Sequence, residues 1–535
     1  MAHHRCRPRP TQAKTLTPVT THCPECGRPL RAAYTNYRTV TTLNAVTRLT
    51  LHIRCCSNSE CSRYHRPHRP EAEALLALPY HEFGLDVLAL VGRLRHAEHR
   101  SVPEIHQELT RRGIRIAPRS VSNLLDRYDE LRALATVDRE RLHALLRKQH
   151  RVVLAIDGLQ PDVGHEILWV LRDCLSGEVL LARSLLSATI KDLAALLTEV
   201  RRALPVPIRG VISDGQSPIR KAVARALPGV PNQLCHFHYL REAARPIYDA
   251  DRHAKKELKK RVRGVRPIER QAEAPQGEEA SVVRDYCCAV RAALTDDGRP
   301  PLAASGLKLH ERLTKILASL DRVASKAGRL PRGLKRLRRL LQRGLEQTAS
   351  LWPPVRATYR WVKRVVHVLE NKAKQPARQV RRGLSALLSK IRQAAKKAKD
   401  AAVAEQLRRF VKVTRSYWPG LFHCYTSADI PRTNNDLEHL FGSHRYHERR
   451  ASGRKQASPG LVVQGSVRVV ASLATRLRPE EGLKLRTGYV DDWRRLRAEL
   501  DKRRETRRKQ RRFRHDPAKY LRQVEERCLK LTLPT

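Results

Sequence analysis

Aromatic residues make up only 5% of the 535-residue chain, and methionine occurs once. So few rings argue against a protein built around base-stacking platforms. No stretch approaches the roughly 18 consecutive apolar residues of a membrane helix, and Met1 to Thr20 lacks the apolar run of a signal peptide. Neither secretion nor membrane insertion is expected. Acid is scarce beside base: 53 Asp and Glu face 106 Lys and Arg, leaving a formal charge of +53. Such an excess repels itself in a compact chain and calls for a polyanionic partner. Nucleic acid fits best, and an ordinary small-molecule enzyme does not. The 12 cysteines read as metal ligands or buried thiols before disulfides.

What is present falls into segments. Residues 1–18 are basic and contain proline, as in a disordered arm. Residues 19–70 carry five cysteines and several histidines, and 71–135 read as helical. From 145 to 240 the pattern changes to short β-branched runs: Val152 to Ile156, Ile167 to Leu171 and Val179 to Ala182. A helix over roughly 190–204, a strand at Ile208 to Ile212, a helix near 217–226 and a short strand around Leu234 follow. The order is β-β-β-α-β-α-β. Residues 241–415 are helical and broken at Pro331, Pro353-Pro354 and Pro376. Another helix opens near Thr433, within a segment 416–475, and 476–535 reads as a basic helical tail with a near-pure charge run over 500–516.

Four motifs stand out. Cys23-Pro-Glu-Cys26-Gly is followed by Cys55-Cys56 and Cys61. Two thiol pairs close a tetrahedron around zinc, and the alternation between them (Leu49, Leu51, Ile53) suits the strands of a zinc ribbon. The expected ligands are Cys23, Cys26, Cys56 and Cys61, with Cys55, His65 and His68 as alternatives. Ser101 and Glu104 form a capping box that starts a helix, and Pro118 suits the first turn of the next. Val121, Leu124, Leu125 and Tyr128 give that second helix an apolar stripe. Arg119, Ser122, Asn123 and Arg127 face the other way, as in a helix-turn-helix that reads a major groove. An ordinary helical hairpin is the plain alternative.

The chemistry is expected at three carboxylates. Asp157-Gly158 ends the first apolar strand, Asp214-Gly215 ends the fourth, and Glu438 stands in Thr433-Asn-Asn-Asp-Leu-Glu-His-Leu-Phe441. Glycine after each aspartate would let the backbone turn away from a ligand. Hard oxygen ligands select magnesium or manganese, and two such ions can activate an attacking hydroxyl and stabilise a leaving oxygen. Asp162 and Asp173 compete, although Asp173 fits a hairpin turn, and Asp436 reads as a capping partner. Cys235-His-Phe-His238 follows Asp214; alone it is a weak signal.

Together these residues resemble a DDE/D transposase of a bacterial insertion sequence, similar to the Mutator-like and hAT groups. The resemblance rests on the order Asp157, Asp214, Cys235-x-x-His238, a long helical insertion, and Glu438 followed by Arg449-Arg450 and Gly453. It implies an α/β RNase H-like catalytic core interrupted by an all-α insertion, preceded by a zinc ribbon and a helix-turn-helix. It also implies that Asp157, Asp214 and Glu438 hold two magnesium or manganese ions for DNA strand cleavage and joining. The partners would be double-stranded DNA, as element terminal repeats and as target, and a further copy of the chain. Arg449 and Arg450 would touch DNA, and the location would be cytoplasmic, on the nucleoid of a bacterium. Cys235 and His238 serve only as a marker. A catalytically inactive DNA-binding regulator and an RNase H-like nuclease are the competing expectations.

Overall fold

The computed structural model describes residues 8–136, 139–159, 166–185, 187–273, 277–296, 303–454, 459–478 and 490–532. The chain is mixed α/β and divides into two compact units, residues 1–207 with 435–535, and residues 208–434. Asp162 lies outside the described residues.

The first unit opens with β1 (Gln12–Leu16), β2 (Arg31–Thr41), β3 (Val46–Cys55) and β4 (Pro67–His68). Strand β3 is central: β1 pairs with it in parallel, β2 and β4 antiparallel. Its alternation explains this placement, since Leu49, Leu51 and Ile53 point one way and are buried, joined by Leu16 and Val40. Residues 12–16, assigned by sequence to a loose arm, are therefore a strand with a hydrophobic foot.

Helices α1 (Leu85–His96), α2 (Val102–Arg111), α3 (Pro118–Thr136) and α4 (Arg139–Gln149) follow. The capping box forms: the Ser101 hydroxyl accepts from the Glu104 N–H while the Glu104 carboxylate takes the Ser101 N–H. Leu88, Val91, Ile105, Leu109, Val121, Leu124 and Leu125 close one core beneath α1–α3. Next come β5 (Val152–Leu159), β6 (Ile167–Asp173), β7 (Val179–Leu185) and α5 (Ile190–Ala203). The strands form an antiparallel meander in the order β7-β6-β5. Asp173 builds its hairpin turn by accepting from the Ser176 N–H and hydroxyl, as its sequence context predicts.

The second unit contains β8 (Ile208–Ser213), α6 (Ser217–Ala226) and β9 (Asn232–Leu234), with β8 and β9 parallel. Among the described residues a run of helices follows: α7 (His236–Ala243), α8 (Arg245–Arg261), α9 (Val265–Gln271), α10 (Glu278–Thr295), α11 (Ser305–Ala327), α12 (Arg332–Gln347), α13 (Trp352–Glu370), α14 (Ala377–Lys397) and α15 (Ala401–Tyr417). The predicted proline breaks fall at helix starts. Pro331 and Pro376 are N-caps, and Pro353-Pro354 occupy the first turn of α13, where a missing N–H costs nothing. One continuous core runs through these helices, with Trp352, Phe410, Leu313 and Leu384 fully enclosed.

The chain then returns to the first unit as α16 (Asn435–Ser452), α17 (Pro459–Gln464), α18 (Ser466–Leu477), α19 (Val490–His515) and α20 (Pro517–Thr532). Helix α16 packs on β5, and α18 on α3. Charge, not only apolar surface, ties α18 to α3. The buried Arg468 guanidinium reaches Asp129 at 2.9 Å and Asp126 at 3.3 Å, and His96 meets Asp129 at 2.7 Å. Tyr128 and Thr475 share a hydroxyl hydrogen bond at 2.7 Å. Removing one partner of such an enclosed pair would strand the other's charge, at a cost of about 3–5 kcal/mol. No helix among the described residues is long and apolar enough to cross a membrane.

Candidate metal centre and carboxylate positions

Four thiols converge at the edge of the first sheet. Cys23 and Cys26 flank a tight turn in which the Gly27 N–H donates to the Cys23 carbonyl at 2.9 Å and the Cys23 N–H to the Arg28 carbonyl at 2.8 Å. Gly27 sits at φ +68°, a left-handed conformation that explains the glycine after the second cysteine. Cys56 follows the last residue of β3, and Cys61 closes the loop beyond it. The Sγ atoms of Cys23 and Cys61 lie 3.8 Å apart, those of Cys26 and Cys56 3.6 Å apart, and all four fall within 4.8 Å of one another.

These separations exclude disulfides, whose sulfurs sit about 2.05 Å apart. They match a tetrahedron with metal–sulfur bonds of about 2.3 Å, whose edges are about 3.8 Å. The Arg63 N–H donates to Cys61 Sγ at 3.4 Å, a contact that stabilises a thiolate. The Arg28 backbone N–H brings the Cys26 thiol down to about 6. The Asn58 N–H pulls Cys56 the same way, yet burial and the neighbouring sulfurs push it up to about 12. A metal ion binds the thiolate form, so a shared cation would displace the protons that burial and the neighbouring sulfurs favour on Cys56 and Cys61. Four sulfurs in this geometry can hold a zinc ion. Cys55 is not among them, and its immediate neighbour Cys56 is.

The three sequence-selected carboxylates are placed as follows. Asp157 lies on β5, half-buried, opposite Val170 of β6 and accepting from the Gly158 N–H at 2.8 Å. The strand does not end there. It continues to Leu159, and Gly158 pairs with Trp169 in register, so the expected turn after Asp157 is absent. Gly158 is tolerated for closeness instead: a side chain would press on Ile167 at 3.1 Å and Trp169 at 3.3 Å. Glu438 sits half-buried in the first turns of α16, with Leu437 and Phe441 enclosed beside it. Since α16 packs on β5, two of the three chosen carboxylates stand on adjacent elements of one unit. Asp436 is exposed in the first turn of the same helix.

Asp214 belongs to the second unit, just past β8, and is buried. Burial pushes its carboxyl up, against the pull of the Gln216 N–H that donates to it at 2.9 Å. Here the glycine reading holds. Gly215 is at φ +88°, and a Cβ would collide with the Tyr417 ring at 2.4 Å. Tyr417 donates its hydroxyl to the Asp214 carbonyl at 3.2 Å and to Glu242 at 2.7 Å. Sequence reasoning missed Tyr417: it is 203 residues away, and only the bare glycine hinted that a bulky group would lie against this turn. Cys235 is buried at the start of α7, where its N–H donates to the Ser213 carbonyl at 2.8 Å and its sulfur accepts from the Asn434 N–H at 3.4 Å. His238 lies one turn on in α7, half-buried.

Of the predicted DNA-facing side chains, Arg119 and Asn123 are exposed on α3 and Ser122 is half-buried. Arg127 is not a surface residue. It is buried and paired with Glu130 at 2.7 Å. Helix α19 covers that side of α3: the Trp493 indole N–H donates to Glu130 at 2.9 Å, and Arg497 reaches the same carboxylate at 3.2 Å. Arg449 and Arg450 are exposed near the end of α16, Arg450 standing 3.6 Å from Glu104. No protein-family model matches the chain, and no curated protein compared with it matches either.

Proposed function

We propose that the protein is a DDE-type transposase, which binds the ends of a mobile DNA element and cuts and rejoins phosphodiester bonds with Asp157, Asp214 and Glu438. The reading is supported most by one observation: the helix carrying Glu438, 281 positions beyond Asp157, packs on the strand that carries it. A strand-borne aspartate and a helix-borne glutamate, each half-buried, suit the hard divalent ions that phosphoryl transfer uses. The element order β-β-β-α-β-α-β over β5–β9 supports reading this region as an RNase H-like core, with α8–α15 as its insertion. Magnesium or manganese would be held by the three carboxylates and would activate the attacking oxygen. The chain's own part is to keep those carboxylates ionised and fixed; burial of Asp214 works against ionisation, so a cation there is what would hold it charged.

The four-cysteine cluster fits a structural zinc, and α1–α3 fit a module that seats α3 in a major groove. In this reading the molecule acts on duplex DNA as a homo-oligomer in the cytoplasm. The test is strand cleavage on element-end duplexes with magnesium. Asp157→Ala, Asp214→Ala and Glu438→Ala should each abolish cleavage and leave duplex binding in place, while Asp436→Ala cleaves normally. A triad variant that still cleaves would remove that carboxylate from the site.

A further inference from the structure

Charge within the second unit is uneven, and α12 is basic too, with six Lys and Arg against Glu346. Helices α10 and α11 carry seven Lys and Arg against five Asp and Glu. Residues 352–397, which make α13, α14 and the loop between them, carry thirteen Lys and Arg against one acid, Glu370. The two regions share the same core and the same architecture, so a uniformly basic composition does not account for the contrast.

On α14 the basic residues are also ordered. Arg378, Arg382, Ser385, Ser389, Arg392 and Lys396 recur at intervals of four and three, which places them on one face. The opposite face, Val380, Leu384, Leu388 and Ile391, is buried, so the stripe looks outward. It runs about 27 Å at 1.5 Å per residue, most of one turn of B-form duplex at about 34 Å. Among the described residues no carboxylate pairs with any of its four cations. The Arg392 guanidinium meets only the Ser389 hydroxyl, at 3.2 Å, and the hairpin's single acid is 3.7 Å from Lys372. Arg378 stands in the first turn of α14, at the positive end of the helix dipole, where a cation is disfavoured, and Arg381 and Arg382 add charge one turn on. A charge arrangement that costs stability in isolation is satisfied by an anion laid along it.

We propose that this outward stripe of α14 is a phosphate-backbone binding surface for duplex DNA, separate from the groove-reading helix α3. It rests on the reading that duplex DNA is the substrate, and it gives the helical insertion a role: holding DNA by its backbone, without reading its sequence. Arginine and lysine at helical spacing, interleaved with serine hydroxyls, present donors to phosphate and nothing that distinguishes bases.

The full-length protein carrying Arg378→Gln, Arg382→Gln, Arg392→Gln and Lys396→Gln tests this, with duplex affinity measured against salt and without added magnesium. The log–log slope should flatten by about 0.9 for each phosphate the variant no longer neutralises. A charge-matched control removes four exposed cations of α11 and the turn after it, with Lys315→Gln, Arg322→Gln, Lys326→Gln and Arg329→Gln. That control should keep the parent slope. Equal flattening in both, or none in the stripe variant, overturns the proposal. So does unchanged duplex binding accompanied by a loss of adsorption to vesicles containing anionic lipid, which would make the stripe a membrane-binding face. Failure of the underlying reading looks different: the parent chain itself would then show no salt-dependent affinity for duplex.

Discussion

Cys55 and Cys56 are adjacent and chemically identical, and the sequence offers no means of choosing between them. Geometry separates them. A strand turns successive side chains to opposite faces, so at the end of β3 only one thiol can point at the Cys23-Cys26 turn, and it is Cys56. The knuckle itself was legible, because two cysteines at a spacing of three with a following glycine have few other uses. The consequence is measurable. Cys55→Ser should retain one zinc per chain by elemental analysis, whereas Cys56→Ser should lose it and unfold β1–β4, since a structural site supplies folding free energy. Zinc retained in Cys56→Ser would remove that residue from the centre. Asp157 and Asp214 teach a related lesson. Both were legible as aspartate-glycine pairs, yet only at Gly215 does the glycine serve a left-handed turn; Gly158 stays in its strand.

Among the elements, helix starts and strand runs were legible wherever a short-range rule governs them: the Ser101 capping box, the prolines at α12, α13 and α14, and the alternation of β3. What was not legible was which polar face another element covers. The helical wheel of α3 sets Arg127 off the stripe of Val121, Leu125 and Tyr128, at its edge beside Leu124, but α19, more than 350 residues later, lays Trp493 and Arg497 over it. The result is a buried acid, Glu130, which burial lifts to about 7 against the pull of Arg127. A carboxyl raised above its unfolded value near 4.3 binds its proton more tightly when folded. Its contribution is therefore complete below that value and is lost as pH rises through about 7. Glu130→Gln keeps an acceptor for the Trp493 indole and cannot ionise. Between pH 5 and pH 8 the parent's thermal midpoint should fall more steeply than the variant's. Parallel curves would show that Glu130 ionises as an ordinary surface carboxylate does.

At the scale of the whole molecule, a formal charge of +53 suits the polyanionic partner of the proposed function but does not say where it would lie. The structure divides that charge into cations buried in ion pairs and cations exposed at the surface. Arg127, Arg468 and Arg504 are committed to Asp126, Asp129 and Glu130 within the first unit. The basic run expected over 500–516 is thus not one solvated tail: Leu500 is buried and Arg504 is paired, while Arg508, Lys509, Arg511, Arg512 and Arg514 beyond them are exposed, Arg508 3.5 Å from Glu505. Deleting the whole run would disturb the covering of α3 as well as remove charge. Neutralising the five exposed residues to Gln isolates the second effect. Cations on phosphates carry no base information, so this variant should weaken binding to every duplex alike and flatten the salt dependence by about 0.9 for each phosphate left unneutralised. Arg119→Ala with Asn123→Ala should do the reverse. Those side chains are exposed on α3, the arginine fork and the carboxamide each suit the edge of a base, and each good pair discriminates by about 1–3 kcal/mol. Their loss should relax the sequence preference recovered from a random duplex pool while leaving the salt slope nearly unchanged. If the tail variant shifts the preference and the α3 variant does not, base recognition resides in the C-terminal helix, and the α1–α3 module is only the scaffold on which that helix is docked.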